Sequence, residues 1–517
     1  MSTRRDELSA HTFARKRTLA AFLQPDSRVS DEEAPRPVRA MMPSIVVAVV
    51  LVAGSIAWGA IAPSAPPGWD KPGEHIIVDS DSTTRYVVLE EKAKSGKKIK
   101  QLHPVLNFAS ARLVLDKGKG EVIEVSGKDI DESPIPRGAT IGIPYAPDRL
   151  PTNADAESAK EWAVCEKPGP NSQSEPQQGV FVLGGRDKNT LKDKNRLGQG
   201  EGLYVEDAET GDRYVVDGTG TKMLLFASTE DRGGMSPQKY EANRSVLTKQ
   251  VLRDPGEPQK VSGQWLKTLN SGATIDYPTL DESKGTPASF PGAEGLPEEA
   301  RSVGQVLKSS SGGAPYYYVV LGKGVQRVSP LLARMFLVQQ TGNKIIPVST
   351  AQVAGAESSD TMKTGGRGWP KDVLNRVNRP AEGLGSTSRA VSCSVYTGKM
   401  GNGGPKLAAW AGPEFPANIV GGSASAYVSS GSGLLYSEFS GRGGGGAQYL
   451  LTDSGLRYAL PKGGGDEQQA AGASEKSPTA RLGYEKAKIA PVPQSWSSLL
   501  PKGPTLDTPS ASQEQGL

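Results

Sequence analysis

Five Gly-Lys pairs, two cysteines and three histidines are the residues whose types suit phosphate, thiol or imidazole chemistry. The pairs are Gly96-Lys97, Gly118-Lys119, Gly127-Lys128, Gly322-Lys323 and Gly398-Lys399. A phosphate-cradling loop needs a further glycine five residues upstream and a Ser or Thr after the lysine to hold magnesium. None of the five has them. His11, His75 and His103 have no second His or Cys at ligand spacing, so no metal site is expected. A nucleophilic triad would have to use His75 or His103, but no GxSxG elbow is present. His103 precedes Pro104 inside a repeated block, which suits packing better than catalysis. No pair of carboxylates stands out as an acid/base couple. The expectation is no catalytic, cofactor-binding or metal-binding residue, and no cofactor.

What must position these residues starts with Met41–Ala62. No charged residue lies between Arg39 and Asp70. The run of about 20 apolar and neutral residues, with Ile45, Trp58 and Ile61 within it, is long enough to cross a ~30 Å hydrocarbon layer as a helix. Trp58 sits where an indole suits the interface. Arg4, Arg5, Arg15, Lys16, Arg17, Arg28, Arg36 and Arg39 precede the run, and only Lys71 occurs in the twenty residues after it. That asymmetry puts the N-terminus in the cytoplasm. A cleaved leader is the alternative, because Ala60-Ile61-Ala62 resembles a cleavage site. A forty-residue leader carrying acidic residues is unlike a short basic n-region.

Glu7–Gln24 reads as a helix that Pro25 stops. Phe13, Arg15 and Arg17 are the candidate contacts with a cytoplasmic partner or the inner leaflet; the alternative is a solvated helix that only sets topology. With 60 basic and 56 acidic residues the net charge is +4, so nothing global points to nucleic acid. Lys92, Lys94, Lys97, Lys98 and Lys100 form a basic run, read as a solvated hairpin tip or a contact for anionic envelope polymer. Cys165 and Cys393 lie on the outer side, where disulfides persist, and their even count favours a bridge. The loop closed would exceed two hundred residues, for which chain entropy gives roughly 5 kcal/mol, less any native strain.

The outer part repeats itself. A strand centred on tyrosine recurs at Tyr86, Tyr214, Tyr318 and Tyr449, followed each time by β-formers and a turn. Pro104–Leu115 and Pro330–Val338 read as helical copies with proline at the start. Val261, Trp265, Leu269, Gly272 and Asp276 match Val492, Trp496, Leu500, Gly503 and Asp507 in type and spacing. The Tyr spacing is irregular, which excludes a propeller or solenoid. Stretches rich in Gly, Pro and Lys separate the units. These signals divide the chain into a cytoplasmic helix (1–40), a span (41–62), a linker (63–73), repeat 1 (74–128), a central domain (129–175), repeat 2 (176–265), repeat 3 (266–350), the central domain again (351–421), repeat 4 (422–504) and a flexible tail (505–517). The predicted class is α+β, mostly β outside the membrane. Four divergent repeat domains surround a central β domain, preceded by one transmembrane helix and a short cytoplasmic helix.

RRDELSAHTFARKRTLAAFL, LHPVLNFASARL, IGIPYAPDRLP, Trp162-Ala163-Val164-Cys165, VSGQWL and PVPQSWSSLLPKGPTLD together resemble the EccB family, the single-span membrane component of type VII (ESX) secretion machines. The resemblance runs over nearly the whole chain. It implies a structural subunit in the cytoplasmic membrane with most of its mass extracytoplasmic. Implied partners are a channel subunit, a motor ATPase and copies of itself, with secreted WXG100-type proteins as indirect cargo. Family members are also commonly labelled ATPases. An extracytoplasmic ATPase or hydrolase and a cell-wall-binding module are the alternative functions.

Overall fold

A computed structural model describes residues 4–23, 37–61, 65–92, 96–169, 174–226, 233–280, 282–339, 344–356, 368–379, 388–401, 404–419, 426–440, 445–462 and 477–515. Contacts divide the chain into two units, Met1–Pro67 with Val125–Glu132, and Gly68–Glu124 with Ser133–Leu517.

The first unit is helical. Its first helix, Arg4–Leu23, starts three residues before the predicted Glu7; Gln24 and Pro25 lie outside the described residues. Phe13 is exposed, as are Arg15 and Arg17. The second helix, Pro37–Ile61, has 25 residues with Pro43 inside it. Side chains are described from Met41 to Ile56; those of Trp58 and Ile61 fall outside. Among the described residues no helix is long and apolar enough to cross a membrane. The Met41–Ile56 stretch rises only about 24 Å. Ile45 is exposed on it.

The second unit is mixed α/β and rich in sheet. Among the described residues, three of its sheets have four strands in one spatial order: third, second, first, fourth. In the first sheet these are Lys98–Pro104, Arg85–Lys92, His75–Asp79 and Glu121–Val125. In the third they are Gly324–Val328, Ala314–Leu321, Val306–Ser311 and Ile345–Pro347. In the fourth they are Arg457–Leu460, Gln448–Leu451, Leu434–Phe439 and Ala490–Pro493. The second sheet repeats the antiparallel run in Glu201–Asp207, Arg213–Asp217 and Thr221–Leu224. Its Gln259–Val261 lies parallel to Glu201–Asp207, as Ile345–Pro347 and Ala490–Pro493 lie parallel to the first strands of theirs.

Each tyrosine strand is flanked on both sides by other strands. Two consecutive residues on each are fully buried, for example Val215 and Val216, or Leu450 and Leu451. Successive side chains point to opposite faces, so both faces of these strands are covered. After the third strand the chain turns into a helix: Phe108–Val114, Pro237–Val251, Pro330–Val338 or Pro478–Arg481. Ser236, Ser329 and Ser477 cap the last three, and proline follows each cap, where a missing N–H costs nothing. The first sheet's helix departs from the predicted Pro104 start. Pro104 ends a strand opposite Tyr86, and the helix begins at Phe108 because the Asn107 side chain accepts from Ser110 N.

The fifth sheet holds the disulfide. Its order is Gly404–Gly412, Val391–Gly401, Glu161–Lys167, Gln177–Leu183 and Ala426–Val428. Several predicted boundaries shift accordingly. Gln177–Leu183 was expected to open repeat 2, yet it pairs with Glu161–Lys167. Ala426–Val428 was expected in repeat 4 but pairs with Gln177–Leu183. Leu374–Arg376 joins the second sheet rather than the central one. Asn270–Ser271 also pairs in the second sheet, so that sheet runs past residue 265. The tail is not frayed where it is described. Leu506 is fully buried, Asp507 caps Thr508–Ala511, and Gln515 N donates to Thr140 O.

Packing joins the sheets in pairs. Ala109 and Leu113 share a core with Leu435, Leu450, Leu482 and Leu506, so the first sheet's helix meets the fourth sheet. Tyr240, Leu247 and Val251 share a core with Leu331 and Met335, so the helices of the second and third sheets meet. The core that joins the second and fourth sheets to the fifth contains Trp162, Trp265, Trp496, Tyr396 and Tyr436.

Candidate functional site

The seam where the fifth sheet meets the second and fourth is built on the strand Glu161–Lys167. Trp162 and Val164 belong to the core shared with Trp265 and Trp496. Ala163 and Cys165 belong to a second core with Phe181 and Trp410. Alternation along one strand therefore serves two interfaces.

Cys165 lies directly opposite Cys393 on the neighbouring strand, and the two form a disulfide across 228 residues of sequence, with Cα atoms 4.0 Å apart. Both are fully buried. Replacing both with serine is expected to lower the local stability of the fifth sheet by about 2–4 kcal/mol, below the loop-entropy ceiling because a denatured chain this long stays partly compact. Thermal unfolding with and without reductant checks it. The wild type should shift and the double variant should not.

On the other face, Gln259–Val261 leads into Ser262, whose Oγ accepts from Trp265 N and caps the turn Gly263–Leu266. The same Oγ donates to Glu166 Oε1 at 2.5 Å, and Ser262 N donates to Glu166 Oε2 at 2.9 Å. Gln178 Nε2 donates to Oε1 at 3.0 Å. Glu166 is fully buried. Burial pushes its carboxyl above the ordinary range, and the Ser262 and Gln178 donors pull it part of the way back. A polar chain continues from here. Gln259 Nε2 donates to Glu166 O at 3.2 Å, and Gln259 Oε1 accepts from Ser392 Oγ at 2.7 Å and Asn378 Nδ2 at 3.0 Å.

Trp265 is fully buried and its Nε1 donates to Val164 O at 2.9 Å. Trp496 is 1% exposed, and its Nε1 donates to Thr268 O at 3.2 Å, in the turn that Trp265 builds. Pro493 holds the place in the Trp496 motif that Ser262 holds in the Trp265 motif, and supplies no side-chain cap. Tyr396 OH donates to Pro491 O at 2.7 Å, and its ring lies 5.9 Å from that of Trp496.

The tyrosine strands share a different feature. Arg137 lies 5.2 Å over the Tyr86 ring, Lys222 5.7 Å over Tyr214, and Arg457 4.8 Å over Tyr449. On the third sheet Arg327 lies 4.3 Å over Tyr316, two residues before the buried Tyr318. Burial pushes the Tyr214 hydroxyl up to about 12. Burial lowers the Lys222 ammonium below its ordinary value, while its Nζ donates to Leu266 O. Arg457 is nearly buried and donates to Glu438 Oε1 and Ser497 Oγ.

The structure thus gathers Trp265 and Trp496 in one core, puts the disulfide on the opposite face of the strand they pack on, and leaves Tyr86 and Tyr318 on other sheets. Glu166, Thr268, Gln178, Gln259 and Asn378 escaped the sequence reading. Only Glu166 carried a signal, a charge ending the apolar run Trp162–Cys165. His103 is buried beneath Gly138, its Nδ1 2.9 Å from Ala139 O and its Nε2 3.3 Å from Glu91 Oε1. In the basic run Lys98 pairs with Glu90 and Lys100 with Asp70, while Lys94 lies outside the described residues. Among the described residues no group of three His, Cys, Asp or Glu could hold a metal ion. The arrangement fastens sheets to one another.

Comparison with known proteins gives a consistent result. The family model described as "Type VII secretion system ESX-1, transport TM domain B" matches residues 1–517. The ESX-3 secretion system ATPase EccB3 of Mycobacterium tuberculosis is 25% identical over 97% of this chain and 88% of its own length. The ESX-5 secretion system ATPase EccB5 of Mycobacterium marinum is 27% identical over 72% of this chain and 66% of its own. A chain of an intact ESX-5 inner membrane complex superposes with a TM-score of 0.59 at 21% identity, covering 100% of this chain and 96% of that one. The EccB3 dimer from the ESX-3 core complex gives a TM-score of 0.58 at 21% identity, covering 85% of this chain and 99% of that one.

Proposed function

Because this chain belongs to the type VII secretion transport TM domain B family, the EccB family, we propose that it is a structural subunit of an ESX inner-membrane secretion complex. The match across residues 1–517 is the observation that carries this reading. The first four sheets act as four divergent copies of one unit around the disulfide sheet, supported by the strand order common to the first, third and fourth and by the parallel fourth strands of the second, third and fourth. The body offers its outer faces to further copies of itself, while the first helix meets the cytoplasmic parts of a channel subunit and a motor ATPase. Phe13, Arg15 and Arg17 on the exposed first helix make the cytoplasmic contacts.

The helix Pro37–Ile61 acts as the single span, N-terminus inside. The eight basic residues before it and the buried disulfide beyond it support that direction. No free cysteine competes for label. With Ser44→Cys and Ser64→Cys variants, a membrane-impermeant maleimide should label position 64 in wall-stripped cells and position 44 only after permeabilisation. The reverse pattern overturns the topology. Purified from its native membrane, the chain should run in a large assembly with secretion components, and recovery as a free monomer would sink the scaffold reading.

The second reading is ATP hydrolysis, favoured by the names of the relatives. The sequence has no GxxxxGK[ST] loop. Purified full-length protein should release phosphate from ATP no faster than a denatured control.

A further inference from the structure

Arg112 sits on the helix Phe108–Val114, where the first and fourth sheets share a core. Its guanidinium lies 5.3 Å over the Phe108 ring. Among the described residues it makes no hydrogen bond and no ion pair, and its Nε is buried without a partner. The helix does not need it as a cap. Arg481, from the fourth sheet's helix, already donates to the Leu113 and Leu115 carbonyls.

The guanidinium borders a cleft of about 270 Å³ lined also by Thr152, Asn153, Leu482 and Tyr484. The acids that follow the lining residues in sequence bond elsewhere: Asp155 to Lys160 and Gly433 N, Glu157 to Lys488 N, Glu485 to Lys117. Gly483, at φ +89°, keeps the cleft open. A Cβ there would stand 3.0 Å from Arg112 Nη1. A half-buried cation without a counter-charge is costly, and the planar guanidinium fork fits a carboxylate.

We propose that this cleft is a carboxylate-binding pocket, with Arg112 as the charged anchor and Thr152 and Asn153 as flanking polar groups. Its volume is below the ~300–1,000 Å³ of ordinary small-molecule sites. It accepts one acidic side chain or one terminal carboxylate of a peptide, and excludes a nucleotide. The guanidinium lies over the Phe108 ring, and the pocket bridges two sheets, so an occupant clamps the first sheet to the fourth. The inference stands apart from the secretion reading, since either can fail alone.

Calorimetric titration of the full chain in detergent tests it. The probes are N-acetyl-dialanine, its C-terminal amide, and N-acetylglutamic acid α-amide. At least one acid should bind saturably in the millimolar range and the neutral dipeptide amide should not. The acid that binds tells a chain terminus from a side chain. Arg112→Met should weaken binding at least tenfold, and Arg112→Lys, which keeps charge but loses the fork, by several-fold. Failure of both acids to saturate overturns the proposal, as does equal binding of the amide. Unchanged affinity in the lysine variant also overturns it, which keeps the test decisive if the methionine variant misfolds.

Discussion

Trp265→Ala should loosen the seam by about 3–5 kcal/mol, the range for emptying a fully buried aromatic site. The indole is fully buried in the core that also holds Trp162 and Trp496. Its removal leaves a cavity and takes the Nε1 donor from Val164 O. Because this chain contains several cores, a single unfolding free energy is not well defined for it. Amide hydrogen exchange gives the local quantity instead. Exchange in Glu161–Lys167 and Gly263–Thr268 should accelerate roughly 10²–10⁴-fold, while the third sheet, which has its own core, stays unchanged. Uniform acceleration over all sheets, or less than tenfold at the seam, would falsify the assignment of Trp265 as the fastener. Trp496→Ala should not add independently. Its Nε1 bonds Thr268 O, and Thr268 is placed by its own bonds to Trp265 O. The double variant should therefore fall short of the sum of the singles by about 0.5–3 kcal/mol.

The legible part of this fold was whatever recurred along the sequence in residue type and spacing. Tyr86, Tyr214, Tyr318 and Tyr449 mark middle strands because a strand covered on both faces needs consecutive apolar residues after the tyrosine. The Trp265 and Trp496 matches mark turns that enter one core, so their spacing is tightly constrained. What stayed hidden is equally physical. The Pro237–Val251 helix buries Tyr240, Arg244, Leu247, Thr248 and Val251, a stripe too polar to register as an amphipathic face. Gln177–Leu183 follows a Gly-, Pro- and Ser-rich stretch that reads as a linker, and only pairing shows that it belongs with Glu161–Lys167. The strand Glu161–Lys167 serves two cores, so it lacks the alternation that would have told its faces apart. Glu166 could be seen as a charge in an apolar run, but Ser262, 96 residues away, could not be named as its partner.

Glu166 carries the other large effect. Its folded carboxyl is pushed up by burial, so it keeps its proton to a higher pH than the unfolded chain does. The stability this supplies is full below the unfolded value of ~4.3, declines as pH rises through the raised folded value, and is then constant. Glu166→Gln removes the titration. The difference in exchange protection between wild type and this variant should therefore change with pH above ~4.3 in favour of the variant, and a difference independent of pH between 4 and 8 would show that Glu166 does not titrate in the folded seam. Glutamine is imperfect at neutral pH, because one carboxylate oxygen becomes an amide facing Ser262 N. Glu166→Ala is worse. It takes the acceptor from three part-buried donors, Ser262 N, Ser262 Oγ and Gln178 Nε2, of which only Gln178 Nε2 has another acceptor, Ser262 Oγ at 3.4 Å. Each unmatched donor costs about 1–3 kcal/mol, partly relieved by rearrangement, so a loss of about 3–5 kcal/mol is expected at neutral pH. Ser262 also caps the turn that carries Trp265, so the alanine variant should release the same amides as Trp265→Ala. Combining the two should add little to either alone, since both undo one fastening between the second sheet and the disulfide strand.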